Sequence, residues 1–292
     1  NSGSITDLIA GTYDATIIDA NGCATSASIA LTEPTSIGVV SAVGTFNGSN
    51  LSCATATDGS IDLSVTGGAG SYSFAWSGPN GFGSFDEDIN TLAGGAYDVL
   101  VTDLNGCTSN AAFQLDAPDT LTAVLAVSDF NGSNVSCSGV ADGSIDLNVD
   151  GGISPFTISW NGPNGFVSNN EDLSGLAAGA YTVDIADANG CSTSAAVTLV
   201  ASDPILLDLQ TATLGGGNNV SCAGGTDGMV DMTIAGGTAP FTIAWTDGIG
   251  FAANTEDISS IGAGFYQASV SDANGCTQTA NILLSAPTAL DL

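Results

Sequence analysis

One block of sequence recurs along this chain at a nearly constant interval, and that interval constrains the fold more than any local propensity. Residues 10–23 read AGTYDATIIDANGC, 94–107 GGAYDVLVTDLNGC, 178–191 AGAYTVDIADANGC and 263–276 AGFYQASVSDANGC. Tyr13, Tyr97, Tyr181 and Tyr266 are separated by 84, 84 and 85 residues, and Cys23, Cys107, Cys191 and Cys276 follow the same interval. A fixed internal period of this kind divides a chain into like units. The expected units are 35–118, 119–204 and 205–287, preceded by the closing part of a truncated repeat at 1–34 and followed by the start of another at 288–292.

Inside a unit, apolar and polar residues alternate with period two, the pattern of strands with one buried face. In the second unit the inward sets are Ile145, Leu147 and Val149; Phe156, Ile158 and Trp160; Tyr181, Val183 and Ile185; and Ala195, Val197 and Leu199. Asp-Gly, Gly-Gly, NGPNG and Asn-Gly punctuate them, all turn formers. Each unit is therefore expected to hold six or seven antiparallel strands, and two sheets face to face bury such alternating faces economically. The fold class is all-β: a tandem array of immunoglobulin-like antiparallel β-sandwich modules of about 84 residues. LAAGAY at 176–181, with its copies at 92–97 and 261–266, has the form of a tyrosine corner, in which the phenol bonds back to nearby backbone.

Trp76, Trp160 and Trp245 share one repeat position. A core tryptophan on the third strand of a sandwich is the favoured reading over a sugar-stacking platform. Phe82, Phe166 and Phe251, in the turn that follows, are better placed for an exposed contact, although local packing explains them too.

The 292 residues include 30 acidic side chains and no Lys, Arg or His, a formal charge of −30. Nucleic acid and anionic membranes are excluded as partners, because no cation is present to displace their counterions. Without His or Lys there is no Ser-His or Ser-Lys pair, no Schiff base and no His-ligated metal. Carboxylate pairs survive, but they recur in every copy, as structural turns do. The chain is read as no enzyme. No apolar run reaches the length of a membrane span, and export or anchoring signals are expected outside this stretch.

Seven cysteines at repeating positions in a chain without His point to disulfides and an oxidising, extracellular setting. Cys53 and Cys107, Cys137 and Cys191, and Cys222 and Cys276 are each 54 residues apart, which favours pairing inside each unit, with Cys23 bonded to a cysteine upstream of the fragment. Strand parity leaves an alternative. With one strand between Trp160 and Tyr181 both cysteines of a unit reach the same end; with two they lie at opposite ends, and Cys53 would instead meet Cys191.

The repeated acids are Asp58, Asp142 and Asp227 beside the first cysteine of each unit, and Asp103, Asp187 and Asp272 at the Asn-Gly turn. If the cysteines close within a unit, each pair of acids converges, with Asn105, Asn189 or Asn274 adding an oxygen, and calcium is the cation such a cluster prefers. Asp before Gly is equally the ordinary chemistry of a turn. Glu87, Glu171 and Glu256 read as a solvated strand edge.

VSCSGVADGSIDLNVDGGISPFTISW at 135–160, followed by LAAGAYTVDIADANGC at 176–191, resembles the repeat of the SprB-type gliding adhesins and related giant surface proteins of Bacteroidetes. That resemblance implies a secreted, filament-like cell-surface adhesin exported through the type IX system. Like modules joined by EPTS, APDT, ASDP and APTA segments make a stalk, with neighbouring modules as partners, self-association into filaments as a further option, and external surfaces or polysaccharides as targets. Glycan recognition beside the Phe positions and calcium-dependent self-association are the rival readings.

Overall fold

The computed structural model describes residues 3–214 and 216–289. Most of the strand expected to open at 288–292 lies outside the described residues. The chain opens with a hairpin of β1 (Gly11–Ile18) and β2 (Ala24–Leu31). Seven strands follow in the first repeat: β3 (Gly38–Val43), β4 (Gly59–Thr66), β5 (Ser73–Ser77), β6 (Gly83–Ser84), β7 (Ile89–Leu92), β8 (Gly95–Thr102) and β9 (Thr108–Leu115). The second repeat runs through β10 (Thr122–Val127), β11 (Ala141–Asp150), β12 (Thr157–Asn161), β13 (Val167–Ser168), β14 (Leu173–Ala177), β15 (Gly179–Ala186) and β16 (Ser192–Leu199). The third has β17 (Leu206–Gln210), β18 (Gly228–Ala235), β19 (Thr242–Thr246), β20 (Ala252–Ala253), β21 (Ile258–Ile261), β22 (Gly264–Ser271) and β23 (Thr277–Leu284).

Every repeat has the same topology. A three-stranded sheet, β3-β4-β7 in the first repeat, faces a four-stranded sheet, β6-β5-β8-β9, and all pairings are antiparallel. The inward residues read from the alternation form the cores. Ile145, Leu147, Trp160, Tyr181, Val183, Ile185 and Leu199 are buried in the second repeat, with Phe156, Ile158, Val149, Ala195 and Val197 packed against them. The first and third repeats carry equivalent clusters around Trp76 and Trp245. At roughly 25 cal/mol per Å² of apolar surface removed from water, each such cluster supplies the main drive for its sandwich.

The tryptophans are core residues, 5%, 0% and 2% exposed, and each indole N–H donates to a backbone carbonyl ten residues on: Asp86, Asn170 and Thr255. The tyrosine corners form as expected. Tyr97, Tyr181 and Tyr266 donate to the carbonyls of Ala93, Ala177 and Gly262, and Tyr13 of the leading hairpin donates to Ile9. Phe82, Phe166 and Phe251 are half-buried and stand edge-on to these tyrosines, with ring centroids 5.3–5.5 Å apart. Such pairs contribute about 1 kcal/mol beyond their area. The Phe residues thus pack locally against the corner tyrosines while part of each ring stays exposed.

The Gly-Gly turn after β4 and its counterparts cannot accept other residues. Gly67, Gly151 and Gly236 have φ of 76°, 72° and 68°, and a Cβ on each would lie 2.1 Å from a backbone carbonyl oxygen. By chain contacts the molecule forms two compact units. The first comprises residues 1–120 with 151–153 and 189–191, and the second comprises 121–150, 154–188 and 192–292.

Candidate functional site: the disulfide joint

The residues singled out in the sequence gather at two recurring places in each repeat, and these are at opposite ends of the sandwich. The first is the loop that carries the first cysteine. It is held at the exit of the repeat, beside the end of the last strand, by an asparagine that imitates a strand pair. Asn50 donates its backbone N–H to the Asp116 carbonyl at 2.8 Å, and its Oδ1 accepts the Asp116 N–H at 2.9 Å. Asn134 makes the same two bonds with Val200, and Asn219 with Ser285. The next residue, Leu51, Val135 or Val220, is fully buried and anchors the loop in the core. In the sequence this signal stands as Asn-Leu/Val-Ser-Cys at each first cysteine, where the Asn belongs to no alternating or turn-forming pattern.

In the same loop, Asp58, Asp142 and Asp227 each accept the backbone N–H of Ser52, Ser136 or Ser221. Hydrogen bonding from those serines holds the three carboxyls below the usual aspartate range.

The second place is the turn carrying the second cysteine, at the entrance of the repeat. Oδ1 of Asp103 accepts the N–H groups of Asn105 and Cys107 at 2.9 and 2.8 Å, and Oδ2 accepts that of Ala69 at 2.9 Å. These backbone donors, Ala69 first, lower the Asp103 pKa. Asp272 repeats the arrangement with Asn274, Cys276 and Thr238. One carboxylate thus shapes the turn and ties it to the Gly-Gly loop.

This separation decides the cysteine pairing. Cys53 bonds Cys191 within the first compact unit, with Cα atoms 5.8 Å apart, and Cys137 bonds Cys276 within the second, at 5.6 Å. The expected bridges Cys53–Cys107, Cys137–Cys191 and Cys222–Cys276 do not form. Two strands lie between each Trp and Tyr: β13 and β14 in the second repeat, β6 and β7 in the first. The earlier of the two is only two residues long, too short to register as alternation, so the chain reverses once more than the pattern suggests. The first cysteine of one repeat therefore meets the second cysteine of the next. Cys23, Cys107 and Cys222 remain as exposed thiols.

Around each bridge the Asn of the Asn-Gly-Cys turn reaches into the partner loop. Asn189 Nδ2 donates to the Ser52 carbonyl at 3.0 Å and toward that of Phe46 at 3.5 Å, and its Oδ1 accepts from Asn47 Nδ2 at 2.6 Å. In the second unit Asn274 donates toward the carbonyls of Phe130 and Ser136, both at 3.3 Å, and accepts from Asn131 at 2.7 Å. Ser202, from the inter-repeat segment, donates to the same Ser136 carbonyl. The joint between the second and third repeats encloses a cavity of about 390 Å³ lined by Cys137, Ser138 and Val140 on one side and by Asp203, Pro204, Ile205 and residues 275–278 on the other.

The calcium cluster does not assemble. Its geometry presupposed closure within a repeat, whereas Asp58 and Asp103 sit at opposite ends, each accepting backbone N–H groups. Among the described residues no three Asp, Glu, Cys or His side chains come together. Glu87, Glu171 and Glu256 are exposed. The Asp that follows each of them extends the sheet instead: Asp88, Asp172 and Asp257 accept the N–H of Leu63, Leu147 and Met232 just before the short strands β7, β14 and β21 begin.

The family model of the SprB repeat matches residues 45–81, 130–165 and 218–250. The model thus matches once in each of the three repeats, at equivalent places. Each match opens in the first-cysteine loop or just before it and ends in the stretch that follows the core Trp, so the joint's exit half lies within the SprB signature. No match to a curated protein was found. Among solved structures, similarity extends to a fragment of a 1.5-MDa bacterial ice-binding adhesin, at 14% identity and TM-score 0.42, covering 88% of this chain and 99% of the other. A Ca2+-stabilised adhesin of an Antarctic bacterium is similar at 17% identity and TM-score 0.36, with 92% and 80% covered. The N-terminal eight immunoglobulin domains of the Down Syndrome Cell Adhesion Molecule are similar at 13% identity and TM-score 0.40, with 95% of this chain covered. The chain spans 43% of that eight-domain fragment.

Proposed function

We propose that this chain is a load-bearing tandem segment of a secreted bacterial cell-surface adhesin, built from modules at 35–118, 119–204 and 205–287 and serving as a stalk rather than as a catalyst. The threefold SprB repeat match carries the reading. The cysteine connectivity supports it, since disulfides persist in extracellular settings. The two bridges interlace along the sequence. The shortest covalent path runs from residue 1 to Cys53, across to Cys191, back to Cys137, across to Cys276 and out to residue 292, about 125 residues where the reduced chain offers 292. At about 3.5 Å per extended residue, reduction frees on the order of 580 Å of contour. A tether wired this way yields under load without paying out its full length. Export through the type IX system and service in gliding adhesion are the finer parts of the proposal, and both rest on the SprB match.

Antibodies raised against the recombinant chain and applied to intact and permeabilised source cells test the reading. Labelling of intact cells, lost after surface proteolysis, is the expected outcome. Labelling confined to permeabilised cells overturns it.

A further inference from the structure

The two sides of each sandwich are finished differently. On one side the outermost strands are short or irregular: β6, β13 and β20 have two residues each, and β7, β14 and β21 pair with their neighbours across register shifts. Acids stand in the loop between them, at Glu87–Asp88, Glu171–Asp172 and Glu256–Asp257. Short strands, bulges and charge are the devices that keep a sheet edge from pairing with another chain. On the other side lie β9, β16 and β23, eight residues each, in unbroken register with β8, β15 and β22. Of the 30 acids in the chain none falls in these three strands, and neither does any Pro.

Their outer edge carries unused backbone groups. Val200, just past β16, turns its N–H and C=O away from β15, to Asn134. Antiparallel alternation sends the N–H and C=O of Thr198, Ala196, Ser194 and Ser192 the same way, and these four residues are exposed. Among the described residues nothing bonds to those groups: β10 of the facing sheet runs close by but forms no ladder with β16. Asp116 with Asn50, and Ser285 with Asn219, set the same phase for β9 and β23. Asn134 thus occupies one end of a pairing edge and leaves the rest of its length open.

We propose that β9, β16 and β23 form a lateral interface between copies of this chain, which pair edge to edge and antiparallel across a two-fold axis. At β16 the axis sets Ser192 opposite Thr198 and Ser194 opposite Ala196 of the second copy, so that each outward N–H meets a C=O. The choice of partner follows from charge. Against an uncharged peptide an Asp in the strand would matter little. Against a second chain of formal charge −30, an edge without acids lets strands close to about 4.8 Å with no carboxylates opposed. The inference concerns assembly, and it stands or falls separately from cell-surface localisation.

The test is the light-scattering mass of the full chain, with its exposed thiols alkylated so that no new disulfide joins copies. The mass is expected to rise with concentration from one chain toward two, and to rise further as added salt screens the −30 charge. Ala112→Asp, Ala196→Asp and Asn281→Asp together, at equivalent exposed positions, should weaken the association about tenfold or more while leaving the urea midpoint in place. Val167→Asp, on exposed β13 at the far end of the same sheet as β16, should leave it unchanged. A monomer at every concentration and salt leaves the edge to a foreign strand and overturns the pairing. A dimer that the edge substitutions spare, or that Val167→Asp weakens equally, overturns it as well.

Discussion

Asn274 and Asn105 stand at the same position of the same turn, each two residues after an Asp that accepts the N–H groups of Asn and Cys in the same way. Asn274 is half-buried and bonded across a joint, whereas Asn105 is open to solvent. The turn is thus a local product of its five residues, complete wherever the Asp, Asn and Cys occur. Its consequence depends on whether another loop meets it. The leading hairpin makes the same point on a larger scale: β1 repeats the Tyr strand of the three cores, but most of its residues are exposed where Tyr97, Val99 and Val101 of β8 are buried.

The sharpest way to break this contrast is to cut the chain between the bridged residues. Asp203–Pro204 is the only Asp-Pro bond in the sequence, and dilute acid cleaves such bonds while thiol–disulfide exchange is suppressed for want of thiolate. With Cys137 joined to Cys276, fragments 1–203 and 204–292 run together on a non-reducing gel and separate only on reduction. Separation without reductant means that the bridges lie within repeats, and the joint as described is wrong.

A smaller effect comes from removing thiols. Cys137→Ser with Cys276→Ser opens a loop closed across a sequence separation of 139 residues, and should destabilise by about 3–5 kcal/mol in urea unfolding. Cys107→Ser should change stability by less than about 0.5 kcal/mol, the range for surface substitutions. Equal losses would erase the distinction between engaged and open turns.

The amides sharpen it further. Asn274→Ala removes hydrogen bonds to two carbonyls and one from Asn131, and should cost about 1–2 kcal/mol, whereas Asn105→Ala should be nearly neutral. The same urea titrations read both.

The smallest predicted effect is that of pH on the turn itself. The folded pKa of Asp103 is lowered by the backbone N–H of Ala69 and by those of Cys107 and Asn105. Its contribution is therefore fully present above the unfolded aspartate value of about 3.9 and is lost as pH falls through the lower folded value. The melting-temperature gap between the native chain and Asp103→Asn should be constant from neutrality to about pH 5 and shrink below about pH 4. A gap that widens in acid would mean that the carboxylate does not order the turn.

Much of this molecule follows from short-range order. Alternation and turn residues specify the strands, because side chains on a pleated strand point to opposite faces and only one face can be buried. The tyrosine corner, the indole hydrogen bond of the core Trp and the closure of the Asn-Gly-Cys turn by its Asp Oδ1 are likewise local, each involving partners within about ten residues, and the residues that make them were legible. The cysteine partners were not. Their pairing depends on how many times the chain reverses between Trp and Tyr, and the deciding strands, β6, β13 and β20, are two residues each. So short a strand leaves no periodicity, because the hydrogen bonds that define it come from the neighbouring strand rather than from its own side chains. Amino-acid order alone therefore established the repeat, the sandwich and the turn. Only the three-dimensional packing decided which ends those turns occupy, and so which sulfur each cysteine meets, because a disulfide forms between atoms that are close in space whatever their distance along the chain.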